Sequence, residues 1–402
     1  MSAKKLSSLF DIANLPKDAQ KILQDFDQIA QAAMPANSKQ LVALPKIIRE
    51  LSHQMTDDRG SRRLGYMNEK AQLSAYVRYF AWWNLVRLSR LFSNLDFSFL
   101  RDGDVCLDIG SGPMTVLCAL WLARPDLREK KLVWYALDIS QLALSAGEEI
   151  FLSIAAATGG EPWKIIRVKG ELGTSVKQKA ALVTCANMFN EVIQKQSEPP
   201  DFLAKKYSQA LFKHLDFEEG KERSAPAILL VEPGVPKSAR FVSLMRDAFI
   251  RRGLVVRAPC PHQGSCPMDG RRAGQNGATG KWCNFAFETD GAPKKLLALS
   301  AKSGIPKERA VLSFVFAQKS DESQKSGGRL RIASDIIRIP AAEPGQKPRI
   351  GHYACSEKGL VLSLSSGGRR VYSGDLLELE KEISASPKSG RDAKTGAIIV
   401  EI

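Results

Sequence analysis

Nowhere in the 402 residues is there a run of about eighteen uninterrupted apolar side chains, the length a helix needs to cross a bilayer, so no membrane span is expected. The amino-terminal stretch MSAKKLSSLFDIANLPKD has no long apolar core of the secretory kind, and its early Asp11 and Asp18 do not suit an acid-poor transit peptide. A cytoplasmic protein is the expectation. Histidine is scarce, at four, and cysteine is present in an odd number, seven, with clustered spacing. That suits a reducing compartment in which thiols stay free to bind metal, rather than a disulfide framework. No internal repeat is found.

What is present is ordinary in bulk and uneven in placement. Hydrophobic residues make up 44% and charged residues 25%, so a chain of this length buries a substantial core and has room for two or three domains. Wholesale disorder is excluded. Lys and Arg number 58 against 43 Asp and Glu, a formal charge of +15 that points to a polyanionic partner, nucleic acid or an anionic membrane surface. The surplus is +5 over residues 1–100, zero over 101–250, +8 over 251–319 and +2 over 320–402.

Residues 1–98 read as a helical region, with a long helix expected from Asn68 to Phe92 whose Tyr76, Tyr79, Phe80, Trp82, Trp83, Leu85 and Leu88 fall at core spacing rather than base-stacking spacing. From residue 99 to 320 short apolar runs alternate with helical stretches, which predicts a parallel sheet flanked by helices. Strands are expected at Asp104–Ile109, Leu132–Leu137, Ile165–Val168, Ala181–Ala186 and Ile228–Val231, and helices at Thr115–Ala123, Gln141–Ala157 and Ser238–Arg252. Val255–Ala258 and Ala310–Gln318 would close the sheet as a hairpin holding a long insertion, cysteine-rich at 259–290. A polar linker, 321–328, leads to a β-rich domain, 329–383, of the size of a small oligonucleotide-binding barrel, and 384–402 reads as a flexible tail.

The run VCLDIGSGPMT places Asp108, Gly110 and Gly112 where the first core strand ends and a helix begins, a turn at which glycines let a ligand approach the backbone. The third glycine of the dinucleotide fingerprint is missing, so pyrophosphate binding is disfavoured. The next strand ends in Asp138, a carboxylate placed to accept from the two hydroxyls of a ribose. Together these features resemble the class I S-adenosylmethionine methyltransferases. The end of the fourth strand reads Asn187-Met188-Phe189-Asn190 in place of the Asn-Pro-Pro-aromatic run of base-amino methyltransferases, so an exocyclic-amine substrate is not supported. Cys185 has no Pro-Cys partner motif and reads as a buried thiol, and no catalytic base is identifiable.

Cys260, Cys266 and Cys283 lie in a loop rich in Gly and Pro that supplies little packing of its own, and a fourth thiol, Cys355, is available in GHYACSEKG. Four thiolates satisfy either a structural zinc or a four-iron, four-sulfur cluster. The wide spacing suits the cluster, whose irons sit at separate corners, better than zinc, while His262 and His352 are nearby and read as neighbours rather than ligands. The three-cysteine pattern of radical S-adenosylmethionine enzymes is absent, so the cluster is not expected to cleave that cofactor. Because Cys355 belongs to the β-rich domain, one cluster would staple two domains and fix a basic surface between them. Arg251, Arg252, Arg257, Arg271, Arg272 and Lys281 lie in or beside the insertion, where they could contact phosphates.

The loop LDIGSGPMT, the strand-five run VEPGVPKSARF, the PCPH, SCP and WCNF cysteine motifs and the late HYACSEKG, in this order over roughly residues 68 to 380, resemble the methyltransferase-like small-subunit ribosome assembly proteins, the family of mitochondrial methyltransferase-like protein seventeen and its bacterial relatives. The resemblance implies an iron–sulfur protein of methyltransferase fold that binds small-subunit ribosomal RNA and assists assembly of the small ribosomal subunit. It implies Cys260, Cys266, Cys283 and Cys355 as cluster ligands and Asp108, Gly110, Gly112 and Asp138 as S-adenosylmethionine positions. An active rRNA methyltransferase and a zinc-stabilised RNA-binding module without catalysis stay open as alternatives.

Overall fold

The structure is a computed structural model that describes residues 3–56, 65–218, 224–273, 278–320, 327–339, 349–365, 370–381, 383 and 390–402. Its centre is a sheet whose strands run in the spatial order Lys164–Lys169, Val133–Asp138, Val105–Ile109, Leu182–Ala186, Ala227–Glu232, Arg309–Lys319, Leu254–Ala258. The first five are parallel, and Arg309–Lys319 lies antiparallel between Ala227–Glu232 and Leu254–Ala258. Ala227–Glu232 is buried along its whole length, as strands covered on both faces are, and it carries apolar residues without alternation.

Helix Thr115–Ala123 (TVLCALWLA) is apolar on every side and every one of its residues is buried. Such a helix is stable only where protein covers both sides, and helix Trp82–Phe92 packs over it from the amino-terminal region. The aromatics singled out at helical spacing are core: Tyr76, Tyr79, Trp82, Trp83, Leu85 and Leu88 are buried, and Trp82 Nε1 and Trp83 Nε1 donate to Leu23 O and Ser300 Oγ. The expected single helix over Asn68–Phe92 is Lys70–Ala75, a π-helical segment Tyr76–Ala81, and Trp82–Phe92 in direct succession.

The second sheet corrects the two chain ends. Residues Ala3–Ser8, expected within a helical region, form a strand paired antiparallel with Asp375–Leu379, and Lys5 Nζ lies 2.9 Å from the buried Asp375 carboxylate. The sheet continues through Arg329–Ile332, Arg349–Ser356 and Gly359–Ser365 to Ile398–Glu401, with Ile337–Ile339 on the side of Arg349–Ser356. Ile398–Glu401 pairs parallel with Gly359–Ser365, so the segment expected as a tail supplies a strand. Both are short, and a strand of four to six residues borrows its stability from a partner that local sequence does not name. Of the expected linker, 321–326 lies outside the described residues. The insertion between the two closing strands holds a further strand, Phe285–Glu288, on Arg309–Lys319, and a helix, Lys294–Lys302.

The glycine loop is seated by helix Gln141–Thr158, capped where Ser140 Oγ accepts from Ala143 N at 3.1 Å. At Gly147 that helix touches the loop: a Cβ there would lie 2.5 Å from the Pro113 carbonyl carbon and 2.8 Å from Met114 N. Ala is favoured over Gly inside a helix by about 1 kcal/mol, yet here the added methyl must displace backbone. Gly147→Ala is therefore expected to lower the urea midpoint and to move the loop. A variant at least as stable as the wild type would show that the helix and loop are not in this contact.

Candidate functional site

A cavity of about 420 Å³ opens at the carboxyl ends of the parallel strands. The glycine loop and the second-strand acid both line it. Asp108, Gly110 and Gly112 form its floor with Ser111 and Thr115, and Asp138 stands at the end of the next strand. Gly110 and Gly112 have φ of +71° and +51°, and Met114 follows at +55°, so the chain leaves the strand along a left-handed path. Asp138 holds that path: Oδ2 accepts from Gly112 N at 2.8 Å and Oδ1 from Ser140 N at 2.8 Å. A carboxylate has about four lone-pair sites, so the Asp138 oxygens retain acceptor capacity for hydroxyls in the cavity.

Asp108 is buried. Its Oδ1 accepts from Thr184 Oγ1 at 2.6 Å, and among the described residues Oδ2 has no hydrogen-bond partner of normal geometry, although the Ser111 hydroxyl is close. After the fourth strand, Asn187 and Met188 line the cavity, with Met188 lying directly over Gly110. The turn is clamped from below by the buried Glu232, whose two oxygens accept from Phe189 N at 2.8 Å and Asn190 N at 3.0 Å. Cys185 is buried, as expected, and burial pushes its thiol up, far from nucleophilic use. The sequence reading missed the wall contributed by the amino-terminal helices, Met67, Tyr76, Asn84 and Leu88. Their helical spacing signalled only a core.

The four predicted cysteines come together. The thiols of Cys266 and Cys283 hydrogen-bond, Cys260 feels the charge of Cys266, and Cys355 feels Cys260 and Cys266 although it lies on a strand of the second sheet. Cys266 is held down at about 7, first by the Cys283 hydrogen bond and then by the Arg246 charge, whereas burial pushes Cys260 and Cys355 up. Among the described residues no group of three or more His, Cys, Asp or Glu side chains is arranged to hold a metal ion. The four thiols therefore share one neighbourhood without converging on a single ion.

Two basic side chains that sequence reasoning did not single out surround them. Arg246, buried on helix Pro236–Arg251, donates from Nε to Cys260 Sγ at 3.2 Å and from Nη2 to the carbonyls of His262 (3.0 Å) and Gly264 (2.7 Å). Arg331, on the second sheet, donates to Pro259 O at 2.8 Å and Gly374 O at 2.7 Å. His262 is buried with Nε2 3.0 Å from Cys355 Sγ, and burial, helped by Arg246, pushes its imidazole down to about 4. His352 instead lines a separate cavity of about 610 Å³, together with Phe10, Arg90, Phe287 and Tyr372.

The six basic residues proposed for phosphate sit on several elements. Arg251 and Arg252 end helix Pro236–Arg251, with Arg252 over the Phe212 ring at 5.2 Å. Arg271 pairs with Asp269, which also lies 3.5 Å from Arg240, eleven residues and about 16 Å along the same helix from Arg251. Arg257 is bonded to Gln318 and Ser320, and Lys281 lies over Tyr353 at 4.3 Å; Arg272 is exposed.

The strand order, the left-handed glycine loop and the acid at the end of the second strand define a class I S-adenosylmethionine methyltransferase-like fold. The family described as mitochondrial small ribosomal subunit Rsm22 matches residues 103–359, and the chain belongs to that family. No curated protein matches. Among solved structures, the magnesium protoporphyrin IX methyltransferase of Synechocystis, with bound SAH, is similar at 11% identity and a TM-score of 0.35, covering 69% of this chain and 100% of its own. A SAM-dependent methyltransferase from Geobacter sulfurreducens, in complex with S-adenosyl-L-homocysteine, is similar at 15% identity and a TM-score of 0.30, covering 59% and 90%.

Burial raises the Asp108 carboxyl to about 7 and the Glu232 carboxyl to about 8. A folded-state value above the unfolded one means that the folded chain holds more protons between about pH 4 and about pH 8, so these groups lower stability as pH rises through that window. Urea unfolding of Glu232→Gln at pH 5 and pH 8 is expected to show a shallower decline than the wild type. An equal decline in both would mean that Glu232 is not protonated in the folded state.

Proposed function

We propose that this chain is a small-subunit ribosome assembly factor that binds S-adenosylmethionine at Asp108, Gly110, Gly112 and Asp138, holds a four-iron, four-sulfur cluster at Cys260, Cys266, Cys283 and Cys355, and contacts small-subunit ribosomal RNA. The observation that carries the reading is the meeting of those four thiols, three from the insertion and one from the second sheet, in a buried site flanked by Arg246 and Arg331. Four thiols in one neighbourhood suit a cluster, whose ligands bind separate irons, and the buried guanidiniums of Arg246 and Arg331 suit its thiolate charge. Such a cluster would supply a rigid covalent crosslink between insertion and sheet. The seven cysteines are all free, which fits the expected reducing, cytoplasmic setting.

The cavity favours cofactor binding more than transfer. Asn187 and Met188 occupy the segment that faces a transferred methyl in this fold, and neither side chain can remove a proton. RNA recognition rests on the +8 surplus of residues 251–319 and on the family's small-subunit description. The exposed Arg272 and its neighbour Arg271 are the natural phosphate contacts of the insertion.

Anaerobically purified protein is expected to be brown, with about four iron and four sulfide per chain, and Cys355→Ser to lose the colour and to expose the second sheet to limited proteolysis. A colourless protein with one zinc would overturn the cluster. Binding to small-subunit RNA is expected to weaken with rising salt, and more so in the Arg271→Ala, Arg272→Ala double variant. Affinity indifferent to salt would count against RNA.

A further inference from the structure

The helical wall of the cofactor cavity carries a group with no assigned task. Asn84 is buried at the cavity, beside Thr115 and Val116 at the start of the glycine-loop helix. Its Oδ1 accepts from Nη2 of Arg87, and Arg87 Nη1 donates to Val311 O at 2.8 Å. A guanidinium only donates, so the amide oxygen of Asn84 must face Arg87, and its NH₂ group is left to donate to whatever fills the cavity.

Arg87 itself is partly buried, and among the described residues its hydrogen bonds run to a backbone carbonyl and to an amide, not to an acid. Lys307 lies over the Trp83 ring at 5.1 Å and is close enough for the Arg87 charge to push its ammonium down. Behind Asn84 the wall thus carries a positive group that, among the described residues, no carboxylate hydrogen-bonds. A guanidinium partly withdrawn from water favours an anion beyond the amide it holds. On the floor of the same cavity stands the opposite polarity, the unpartnered Oδ2 of Asp108. A wall that donates with a positive group behind it, and a floor with an acid, are together complementary to a zwitterion.

We propose that Asn84, oriented and polarised by Arg87, recognises the α-carboxylate of the amino-acid end of the bound nucleoside thioether, and so sets the cavity's specificity for ligands that carry a free amino-acid head. This rests on the reading of the cavity as an S-adenosylmethionine site and adds two residues from outside the glycine loop. Arg87 is a positioning residue: it acts through Asn84.

The test compares S-adenosylhomocysteine with 5′-methylthioadenosine, the same nucleoside thioether without the amino-acid head, by titration calorimetry on the full chain. Wild type is expected to bind the former about 10- to 100-fold more tightly, the range of one charge-assisted hydrogen bond. Asn84→Asp keeps the shape and pairs with Arg87, so it should melt no lower than wild type; it removes the donor and sets a negative charge against the carboxylate. It should abolish the preference while leaving 5′-methylthioadenosine unchanged. Asn84→Ala gives the same comparison if the aspartate variant fails to fold. An equal loss for both ligands, or an unchanged preference, overturns the assignment, as does a wild type that binds both equally. A wild type that binds neither overturns the cofactor reading itself.

Discussion

Everything in the cofactor half depends on one constraint, the left-handed course of the backbone through Gly110, Gly112 and Met114. That course brings Gly112 N within 2.8 Å of Asp138 and aims the chain into helix Thr115–Ala123. It is tolerable because two of the three residues lack a Cβ, and it persists because neighbours hold it from two sides. Asp138 pins it from the second strand, and Gly147 lets helix Gln141–Thr158 close on Pro113 and Met114. Asp138 therefore has two tasks. The same carboxylate that is suited to ribose hydroxyls shapes the loop on which the rest of a ligand would lie.

The cysteine half is organised differently, by charge across a domain boundary. Arg246 reaches from the core helix to Cys260 and to the carbonyls of His262 and Gly264, while Arg331 reaches from the second sheet to Pro259. The insertion is thus gripped from both sides by side chains before any group bridges the thiols. A loop with so many glycines costs heavily in chain entropy to order. Hydrogen bonds to its carbonyls offset part of that cost.

How much of this could be read from the residues follows the range of the interactions involved. The five parallel strands and the glycine loop were legible because strand, turn and helix signals lie within a few residues of one another, and Thr115–Ala123 was placed to the residue. The four cysteines were legible as a set because thiols are rare and the loop around them cannot pack. The strands Ala3–Ser8 and Ile398–Glu401 were not, because each is defined by a partner at the far end of the chain or in the second sheet. The helical wall of the cavity was hidden for another reason: Asn84 sits among Trp82, Trp83, Leu85 and Leu88, and a polar residue in an apolar stripe looks like an imperfection of the core. Arg246 was hidden in the same way, inside helix Pro236–Arg251.

Asn84–Arg87 and Arg246 share a physical logic that separates them from the surface basic residues. Lys295 pairs with Asp27 and Arg349 with Glu401, so each meets an acid already present in the folded chain. Arg87 and Arg331 instead hydrogen-bond carbonyl oxygens or an amide, which satisfy donors without cancelling charge. Arg246 has one acid, Asp247, at the edge of the site, and spends its remaining donors on Cys260 and two carbonyls. Neutral partners fix a guanidinium in place and leave its field directed at the nearest void or thiol. Beside Cys260 such a field lies on the thiols, with Asp375 also near Arg331. The +15 surplus of the whole chain therefore divides by burial: its exposed part can meet a polyanion, while Arg246 and Arg331 are enclosed beside the thiols.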